Sequence, residues 1–406
     1  MINAAPLAMF LTTFIALIAG YPVALTLAGV ALIFALIGTI FGIFNPSDLG
    51  FTAGRLFGLV TNQTLIAIPL FVFMGVTLEK TKIAESLLSD LSSLFGQSRS
   101  GLAVTVILVG TLMAASTGIV GATVVTMSLM ALPVMLKAGY DARLATGTIS
   151  ATGTLGQIIP PSIALVLLGD VLSNAYQQAQ LNQGIFAPKS VSVGDLFAGA
   201  IVPGLCLVIL YLIYVYTKIL LSKSKIDSNQ ASDQKFNILS LLASLAPPLL
   251  LIFAVLGSII LGYATPTEAA GIGAAGAILI GVAKKRLEFS TIKAISESTL
   301  STTGMVFFIL IGASIFSLVF RGFGGDEQIQ GFFDAMPGGV TTALVVVMIV
   351  IFLLGFILDF IEITFVVVPI VGPVLLAMGV DPIWLGVVIA INLQTSFLTP
   401  PFGFAL

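Results

Sequence analysis

The sequence predicts an all-α, polytopic membrane protein built from two related halves. Apolar residues make up 58% of the 406 residues and charged residues only 8%, against roughly 25% charged in a soluble domain. The mean hydropathy is +1.16. Solid apolar runs exclude a β-barrel, whose strands alternate polar and apolar positions. Two Pro-Pro pairs, Pro160-Pro161 and Pro400-Pro401, lie 240 residues apart inside apolar sequence.

The sequence around the two proline pairs repeats with this constant offset. The first copy reads LPVMLKAGYDARLATGTISATGTLGQIIPPS, and the second reads GPVLLAMGVDPIWLGVVIAINLQTSFLTPPF. A proline inside a membrane helix leaves backbone groups unpaired, which hydrocarbon tolerates only beside protein or water. Matching breaks in two halves are typical of the substrate or ion site of a secondary transporter. A chance alignment of common residues is the alternative.

Apolar runs of about 20 residues or more predict the membrane helices. These runs are 4–20, 22–44, 101–136, 143–169, 197–221, 238–262, 266–283, 339–378 and 383–406. Two further stretches, 56–78 and 300–320, are predicted to be re-entrant hairpins with polar tips at Thr61-Asn62-Gln63-Thr64 and Ser301-Thr302-Thr303. An ordinary span with a polar cap is the alternative for each hairpin. The stretch 80–100 is amphipathic and is predicted to lie along the membrane interface or to link moving parts. Its apolar face comprises Ile83, Leu87, Leu88, Leu91 and Leu94.

Basic residues give a predicted orientation. With both hairpins re-entrant, eleven of the 16 Lys and Arg residues fall on one side and five on the other. The positive-inside rule then places the N-terminus outside. Five crossings separate the loop 139–141 from the loop 379–381, so the repeats are predicted to have opposite orientations; if 300–320 spans fully, they become parallel. The second repeat stops at PFGFAL inside an apolar run, so we expect further residues after Leu406.

Missing residue types exclude several kinds of chemistry. The chain has no histidine and a single cysteine, Cys206, so histidine-based catalysis, histidine zinc sites and an intrachain disulfide are excluded. No GxxxxGK[ST] phosphate-binding loop occurs. Energy must therefore come from an ion gradient or from another subunit. An enzyme would need a nucleophile or metal constellation, and a channel would not need broken helices.

Polar residues inside the apolar runs predict an ion site. The charge-free run 101–136 is too long for one straight crossing, and a helix break is predicted near 116–121. Glycines there free the backbone, and carbonyl plus hydroxyl oxygens form the cage that Na+ needs. In the second repeat, Asp359 is a carboxylate in mid-membrane and is functional by default, with a salt bridge to a loop cation as the alternative. The predicted ion-binding residues are Ser116, Thr117, Gly118, Gly121, Thr302, Thr303, Gly355, Asp359, Thr395 and Thr399.

A second set of polar residues predicts the substrate site. Intramembrane Ser and Thr hydroxyls are usually satisfied by a carbonyl one turn back. Clustered before a Pro-Pro break in both repeats, they indicate a lined site instead. The predicted substrate-binding residues are Asn62, Thr64, Thr152, Thr154, Gln157, Gln394 and Ser396.

Several of these segments together resemble a known family. They are ASTGIVGATVVTMSLMALPVMLKAGYDARLATGTISATGTLGQIIPPSIALVLLGD, LIAIPLFVFMGVTLEKT, PTEAAGIGA and the closing TPPFGFAL. The chain resembles, over essentially its whole length, the large membrane subunit of tripartite ATP-independent periplasmic (TRAP) transporters.

The resemblance implies an elevator-type carrier in the bacterial inner membrane, driven by Na+ and without an organic cofactor. Scaffold helices would lie in 1–44 and 197–287, and transport parts in 45–196 and 288–406. The implied partners are a small four-helix membrane subunit and a soluble periplasmic binding protein. The implied substrates are small organic anions, mostly carboxylates. A stand-alone carrier related to divalent-anion/Na+ symporters, which needs no binding protein, is the alternative.

Overall fold

The computed structural model describes residues 4–81, 83, 86–88, 90, 100–118, 120–221 and 238–399, and these residues form helices and loops without a strand. They fall into two compact units. The first unit comprises Met1–Leu65, Leu167–Ser192 and Thr302–Ser396. The second unit comprises Ile66–Val166, Val193–Ser301 and Phe397–Leu406. The all-helical class is confirmed. The boundaries of these two units differ from those of the predicted scaffold and transport parts. The division into scaffold and transport parts stays a prediction.

Sixteen labels cover the longer helices of the described residues. In chain order they are α1 Ala5–Ile18, α2 Val23–Ile40, α3 Phe51–Thr61, α4 Ala67–Lys80, α5 Gly101–Thr117, α6 Val120–Lys137, α7 Ala142–Thr154, α8 Ile163–Asn182, α9 Val193–Leu221, α10 Ile238–Ile260, α11 Pro266–Ala283, α12 Phe289–Gly322, α13 Gly325–Asp334, α14 Gly339–Leu354, α15 Val368–Ala377 and α16 Pro382–Phe397. A helical turn, Phe360–Glu362, and a π-helical turn, Ile363–Val367, lead directly into α15.

Six helical segments in the described part of the chain are long and apolar enough to cross a membrane. They are Val23–Ile40, Val193–Leu221, Leu242–Ile260, Pro266–Ala283, Phe289–Gly322 and Phe360–Ala377. Large apolar side chains on these helices are exposed, such as Leu205 and Ile209 of α9 at 54% each. Apolar surface on this scale is typical of a membrane or protein contact, which supports the polytopic prediction.

The predicted break in the run 101–136 is confirmed. Helix α5 ends at Thr117, and Gly118 follows with a φ of 63°. This left-handed conformation costs a glycine little, whereas a side chain would strain it. Helix α6 then starts at Val120 and carries Pro133 in its interior. Glycine thus divides one apolar run into two shorter helices.

The predicted repeat is visible in the backbone of two loops. Gly139 and Gly379 have φ values of 84° and 93°. Tyr140 N–H donates to the Met135 carbonyl at 3.1 Å, and 240 residues later Val380 N–H donates to the Leu375 carbonyl at 3.2 Å. An aspartate follows in each loop and precedes helix α7 or helix α16. The two sequence copies therefore build the same helix-ending turn.

The first predicted hairpin corresponds to a bent pair of helices. The segments Pro46–Thr61 and Thr64–Lys80 meet at a bend of 55°. This bend is compatible with a broken span or with a re-entrant loop, so re-entry stays a prediction. In the following amphipathic stretch, Ile83, Leu87 and Leu88 are buried. Leu91 and Leu94 of that stretch, and the pair Pro400-Pro401, lie outside the described residues.

The second predicted hairpin is wrong as placed. Helix α12 runs without interruption from Phe289 to Gly322, through the supposed tip Ser301-Thr302-Thr303. Ser and Thr cost only tenths of a kcal/mol in a helix, and no proline interrupts this stretch, so a polar cluster alone does not turn the chain. The turn comes at Phe323 and Gly324 instead, where Gly324 has a φ of 78°. The count of five crossings assumed that 300–320 is re-entrant, so it no longer supports inverted repeats. The relative orientation of the two repeats stays a prediction.

Candidate functional site

The predicted site residues divide between the two units. The second unit contains Ser116, Thr117, Gly118, Gly121, Thr152, Thr154, Gln157 and Thr399. The first unit contains Asn62, Thr64, Thr302, Thr303, Gly355, Asp359, Gln394, Thr395 and Ser396. Each unit therefore has its own set of polar residues at helix breaks.

The first set begins at the carboxyl end of α5. Ser116 and Thr117 are buried, and their hydroxyls donate to the Met113 carbonyl at 2.9 and 3.0 Å. The Thr117 hydroxyl also lies 2.6 Å from the hydroxyl of Thr123 in α6. The last carbonyls of a helix have no partner within the helix and carry partial negative charge. The break at Gly118 thus places hydroxyl and carbonyl oxygens together.

Helix α4 packs closely on this break within the second unit. A Cβ added at Gly75 would lie 2.7 Å from the carbonyl oxygen of Thr117, so only glycine fits there. A cavity of about 10 Å³ beside it is lined by residues that include Glu79, Ser116 and Thr117. This volume is at the lower limit for a single water-sized occupant. The sequence did not single out Gly75 or Glu79, because neither interrupts the apolar pattern of α4.

A second helix break lies against the first. Helix α7 ends at Thr154, a 3-10 turn covers Leu155–Gln157, and α8 starts at Ile163. A Cβ at Gly156 would approach the Ala114 carbonyl oxygen to 3.0 Å, and a Cβ at Gly118 would lie 3.4 Å from the backbone nitrogen of Ile163. The break of the Pro-Pro segment and the break at Gly118 are therefore in van der Waals contact.

Gln157 is the least satisfied side chain at this junction. It is 1% exposed, and neither Nε2 nor Oε1 has a hydrogen-bond partner among the described residues. Thr152 and Thr154, in contrast, donate to carbonyls of their own helix at 2.9 Å each. An unpaired buried polar group costs about 1–3 kcal/mol. Such a group is usually accounted for by a bound molecule or by function.

The second set surrounds the break after α14 in the first unit. Asp359 Oδ1 accepts the Phe360 N–H at 2.7 Å, and Glu362 Oε2 accepts the Asp359 N–H at 2.8 Å. The Asp359 side chain also accepts from the backbone N–H of Glu362, so the two residues form a capping box that starts the span Phe360–Ala377. Asp359 makes no ion pair within the described ranges. Glu362 is buried at 7% exposure, and its capping role was not predicted from the sequence.

The π-helical turn after Glu362 adds an unpaired hydroxyl. Thr364 is 0% exposed, and its Oγ1 has no partner in the described part of the chain. Turns of this kind are frequent at functional sites. Gly355 faces the Ser396 hydroxyl so closely that a Cβ would clash with it. This contact joins the break after α14 to the end of α16, where Gln394 is buried and Thr395 is exposed.

Four predicted residues have other surroundings than expected. Thr302 and Thr303 lie inside α12, so their carbonyls belong to a regular helix and the ion ligands expected at a hairpin tip lose their geometric basis. Asn62 caps the bend before α4, because its Oδ1 accepts the Thr64 N–H at 2.9 Å. Asn62 Nδ2 also donates to Asp170 Oδ1 at 3.0 Å.

Broken apolar helices with polar breaks inside a polytopic, all-helical protein are typical of a secondary transporter. Two solved structures share the fold. The Alcanivorax borkumensis YdaH transporter has a TM-score of 0.60 at 16% identity and covers 89% of this chain and 81% of its own. Neisseria gonorrhoeae MtrF has a TM-score of 0.57 at 13% identity and covers 86% of this chain and 74% of its own.

The chain belongs to the family described as the tripartite ATP-independent periplasmic transporter, DctM component, which matches residues 10–406. One relative is the C4-dicarboxylate TRAP transporter large permease of Pseudomonas aeruginosa, 28% identical over 90% of this chain and 81% of its own. The sialic acid TRAP large permease of Vibrio cholerae is 27% identical over 96% and 86%. The ectoine TRAP large permease of Halomonas elongata is 27% identical over 84% and 75%.

Family membership makes the chain a multi-pass inner-membrane subunit of a secondary transporter that depends on a substrate-binding protein. It implies two partners, a small membrane subunit and a periplasmic binding protein. The relatives are transporter permeases. Their names cover dicarboxylates, sialic acid and ectoine, so membership alone leaves the substrate open.

Proposed function

We propose that this subunit imports small organic anions, chiefly carboxylates, together with Na+, by an elevator-type alternation of access. The periplasmic binding protein delivers the substrate, and a small four-helix membrane subunit completes the carrier. The contact between the two helix breaks of the second unit carries this proposal. It brings the carboxyl end of α5, the hydroxyls of Ser116 and Thr117 and the unpaired amide of Gln157 into one region.

Na+ fits this region because its ligands are hard oxygen atoms. Carbonyls at the end of a half helix point partial negative charge at a cation. The hydroxyl oxygens of Ser116 and Thr117 keep acceptor capacity after donating to Met113. Glu79 lines the same small cavity, and its carboxylate also pairs with Lys80 Nζ at 3.3 Å. In the first unit, Gly355, Asp359 and the unpaired Thr364 hydroxyl form a second candidate ion region.

Substrate recognition requires hydrogen-bond donors and acceptors that are not already bonded within the protein. Gln157 offers an amide N–H group and a carbonyl in the second unit, next to the candidate Na+ region. Substrate and ion would then share one break, and each would lower the free energy of the other's bound state. A shared site of this kind couples the two fluxes, because the carrier reorients with both or with neither.

Na+ binding can be tested without knowing the substrate. We expect the melting temperature of the purified full chain to rise with NaCl and to rise much less with KCl at equal ionic strength, since a ligand that binds only the folded state stabilises it. Thr117→Val removes one hydroxyl at the break and should reduce the Na+-specific rise. Thr146→Val, in an exposed turn of α7, is the control and should keep it. Equal effects of Na+ and K+ would contradict the proposal.

A further inference from the structure

A cavity of about 820 Å³ lies in the second unit between α5, α7 and α9. The start of α7 lines it with Asp141 and Arg143, and the carboxyl end of α9 lines it with Tyr214, Lys218 and Leu221. Its volume is within the 300–1,000 Å³ typical of small-molecule sites. None of these five residues belongs to the helix breaks of the candidate ion and substrate site.

Two cationic side chains of the lining have no anionic partner. Arg143 and Lys218 are exposed, and neither forms an ion pair with an acid anywhere in the described ranges. Lys218 Nζ lies 5.9 Å from the centre of the Tyr214 ring, which leaves its N–H donors available. Among the described lining residues, Asp141 is the one acid, and its side chain does not cap α7. The described lining therefore carries one net positive charge.

The length of α9 places these charges at the membrane surface. Its 29 residues span about 43 Å at 1.5 Å per residue, which exceeds the hydrocarbon thickness of about 30 Å. Tyr214 and Tyr216 stand near its carboxyl end, and tyrosine is enriched at the membrane–water interface. Lys223 and Lys225 follow in the sequence, so the positive-inside rule assigns this end to the cytoplasmic face. Lys218 thus lies at the depth of the inner-leaflet headgroups.

An exposed apolar row continues from the cavity along α9. Leu210 is exposed and lies one turn before Tyr214, and Leu221 is exposed at the other end of the same row. Residues three or four apart share a helix face, so this row runs from the charged end of α9 towards the hydrocarbon region. An acyl chain can pack on such a row, whereas a free anion leaves it uncovered. The continuity of charge and apolar surface favours an amphipathic ligand.

The hydroxyl groups of the lining are already used as donors. Thr148, Thr152 and Thr217 each donate to a carbonyl of their own helix at 2.7 to 2.9 Å. The donors left for a ligand in this lining are therefore the charged groups of Arg143 and Lys218. Hydrogen bonds from charged donors to phosphate are about twice as strong as neutral ones. A phosphate fits this set of donors better than a neutral sugar or alcohol group.

We propose that this cavity binds an anionic phospholipid of the inner leaflet, with its phosphate between Arg143 and Lys218 and an acyl chain along Leu210 and Tyr214. A single phosphodiester charge balances the net charge of the lining, whereas a zwitterionic headgroup leaves that charge uncompensated. Basic pockets between membrane helices on the cytoplasmic side bind anionic headgroups in this way. The inference is independent of the proposed ion coupling and of the substrate.

The test is equilibrium binding of a fluorescent phosphatidylglycerol to the detergent-purified full chain in complex with its small membrane subunit. The competitors are unlabelled phosphatidylglycerol, phosphatidylethanolamine with the same acyl chains, and glycerol 3-phosphate. We expect phosphatidylglycerol to bind at least tenfold more tightly than phosphatidylethanolamine. Glycerol 3-phosphate carries the phosphate without acyl chains, and we expect it not to displace the lipid at a hundredfold excess.

Single charge removals locate the site. Arg143→Gln and Lys218→Gln should each weaken phosphatidylglycerol binding about tenfold, because each removes one charged donor to the phosphate. Lys137→Gln is the matched control. It removes the same charge from an exposed position at the end of α6, outside the cavity lining, and should leave binding unchanged.

Asp141→Asn provides a readout that misfolding cannot imitate. Asparagine suits the start of a helix as well as aspartate does, and the substitution removes the one negative charge of the described lining. We expect phosphatidylglycerol to bind at least threefold more tightly, whereas a partly unfolded preparation would bind less. Equal affinities for the two lipids, displacement by glycerol 3-phosphate, an equal loss in Lys137→Gln, or unchanged binding in Asp141→Asn would each overturn the inference.

Discussion

Gln157 is a buried amide whose two polar atoms find no partner in the described part of the chain. Replacing it with leucine removes two unpaired groups without changing the side-chain volume greatly. We expect Gln157→Leu to keep or raise the melting temperature while lowering the uptake rate at least tenfold, because a ligand loses its hydrogen bonds. Thermal unfolding and uptake by reconstituted protein measure the two effects.

Gln180 is the matched control, because it is equally a buried glutamine but is fully used. Its Nε2 donates to the Lys189 carbonyl at 2.9 Å, and its Oε1 accepts the Lys189 N–H at 3.0 Å. Gln180→Leu should destabilise the fold by about 1–3 kcal/mol and leave uptake per folded molecule unchanged. If Gln157→Leu behaves like Gln180→Leu, the assignment of Gln157 to the site is wrong.

Asp359 can be tested without breaking its helix. Asparagine caps helices about as well as aspartate, so Asp359→Asn should keep the capping box and remove only the charge. We expect the Na+ concentration for half-maximal uptake to rise several-fold. Asp381→Asn changes another helix-capping aspartate, whose Oδ1 accepts the Trp384 N–H at 2.8 Å, and should leave Na+ dependence unchanged. Unaltered Na+ dependence in Asp359→Asn would remove Asp359 from the ion site.

Single residues were predictable where their chemistry conflicts with an apolar surrounding. Gln157 and Asp359 were selected from the sequence because amide and carboxylate groups are costly inside a membrane segment. Glu79 was missed, because a charged residue near the end of an apolar run resembles an ordinary loop or interface residue. Its place beside the cavity at Ser116 and Thr117 depends on neighbours from other helices, which a single sequence does not show.

At the scale of elements, the break at Gly118 is the feature that joins α5 to α6. Gly118→Ala places a side chain at a φ of 63°, about 3.3 Å from Cγ1 of Ile163. We expect a loss of about 1–2 kcal/mol in stability and a clear loss of Na+-driven uptake, since the carboxyl end of α5 must shift. Chemical denaturation and uptake assays give the two values.

Gly147 supplies the control for that substitution. It lies inside α7, and a Cβ there would have no heavy atom within 4 Å. Gly147→Ala should therefore be neutral or stabilise the helix by up to about 1 kcal/mol, with uptake unchanged. Equal consequences for both substitutions would show that the break at Gly118 has no special role.

Elements were predicted correctly where backbone constraints marked them. The charge-free length of 101–136 together with Gly118 located a real break, and the 240-residue offset located two matching turns at Gly139 and Gly379. The hairpin tip at Ser301-Thr302-Thr303 failed because hydroxyl side chains alone do not end a helix. The π-helical turn at 363–367 had no sequence signal, since its residues are apolar and suit an α-helix equally well.

For the whole molecule, the exposed apolar surface must be covered by lipid or by a partner protein. Leu25, Leu36 and Ile40 of α2 are 57%, 64% and 73% exposed, and both lipid and a small membrane subunit could cover such a face. Composition predicted a membrane protein, and the quoted motifs predicted the family. Composition could not predict which of these faces contacts protein, because leucine and isoleucine suit both environments.

The proposed activity is Na+-coupled uptake that depends on a binding protein. The most direct measurement is uptake of a radiolabelled carboxylate, captured by the binding protein of the same complex, into liposomes that contain this chain and its small membrane subunit. We predict uptake only with an inward Na+ gradient and with the binding protein present, and no effect of ATP. Full uptake without a Na+ gradient, or by the isolated chain without either partner, would contradict this mechanism.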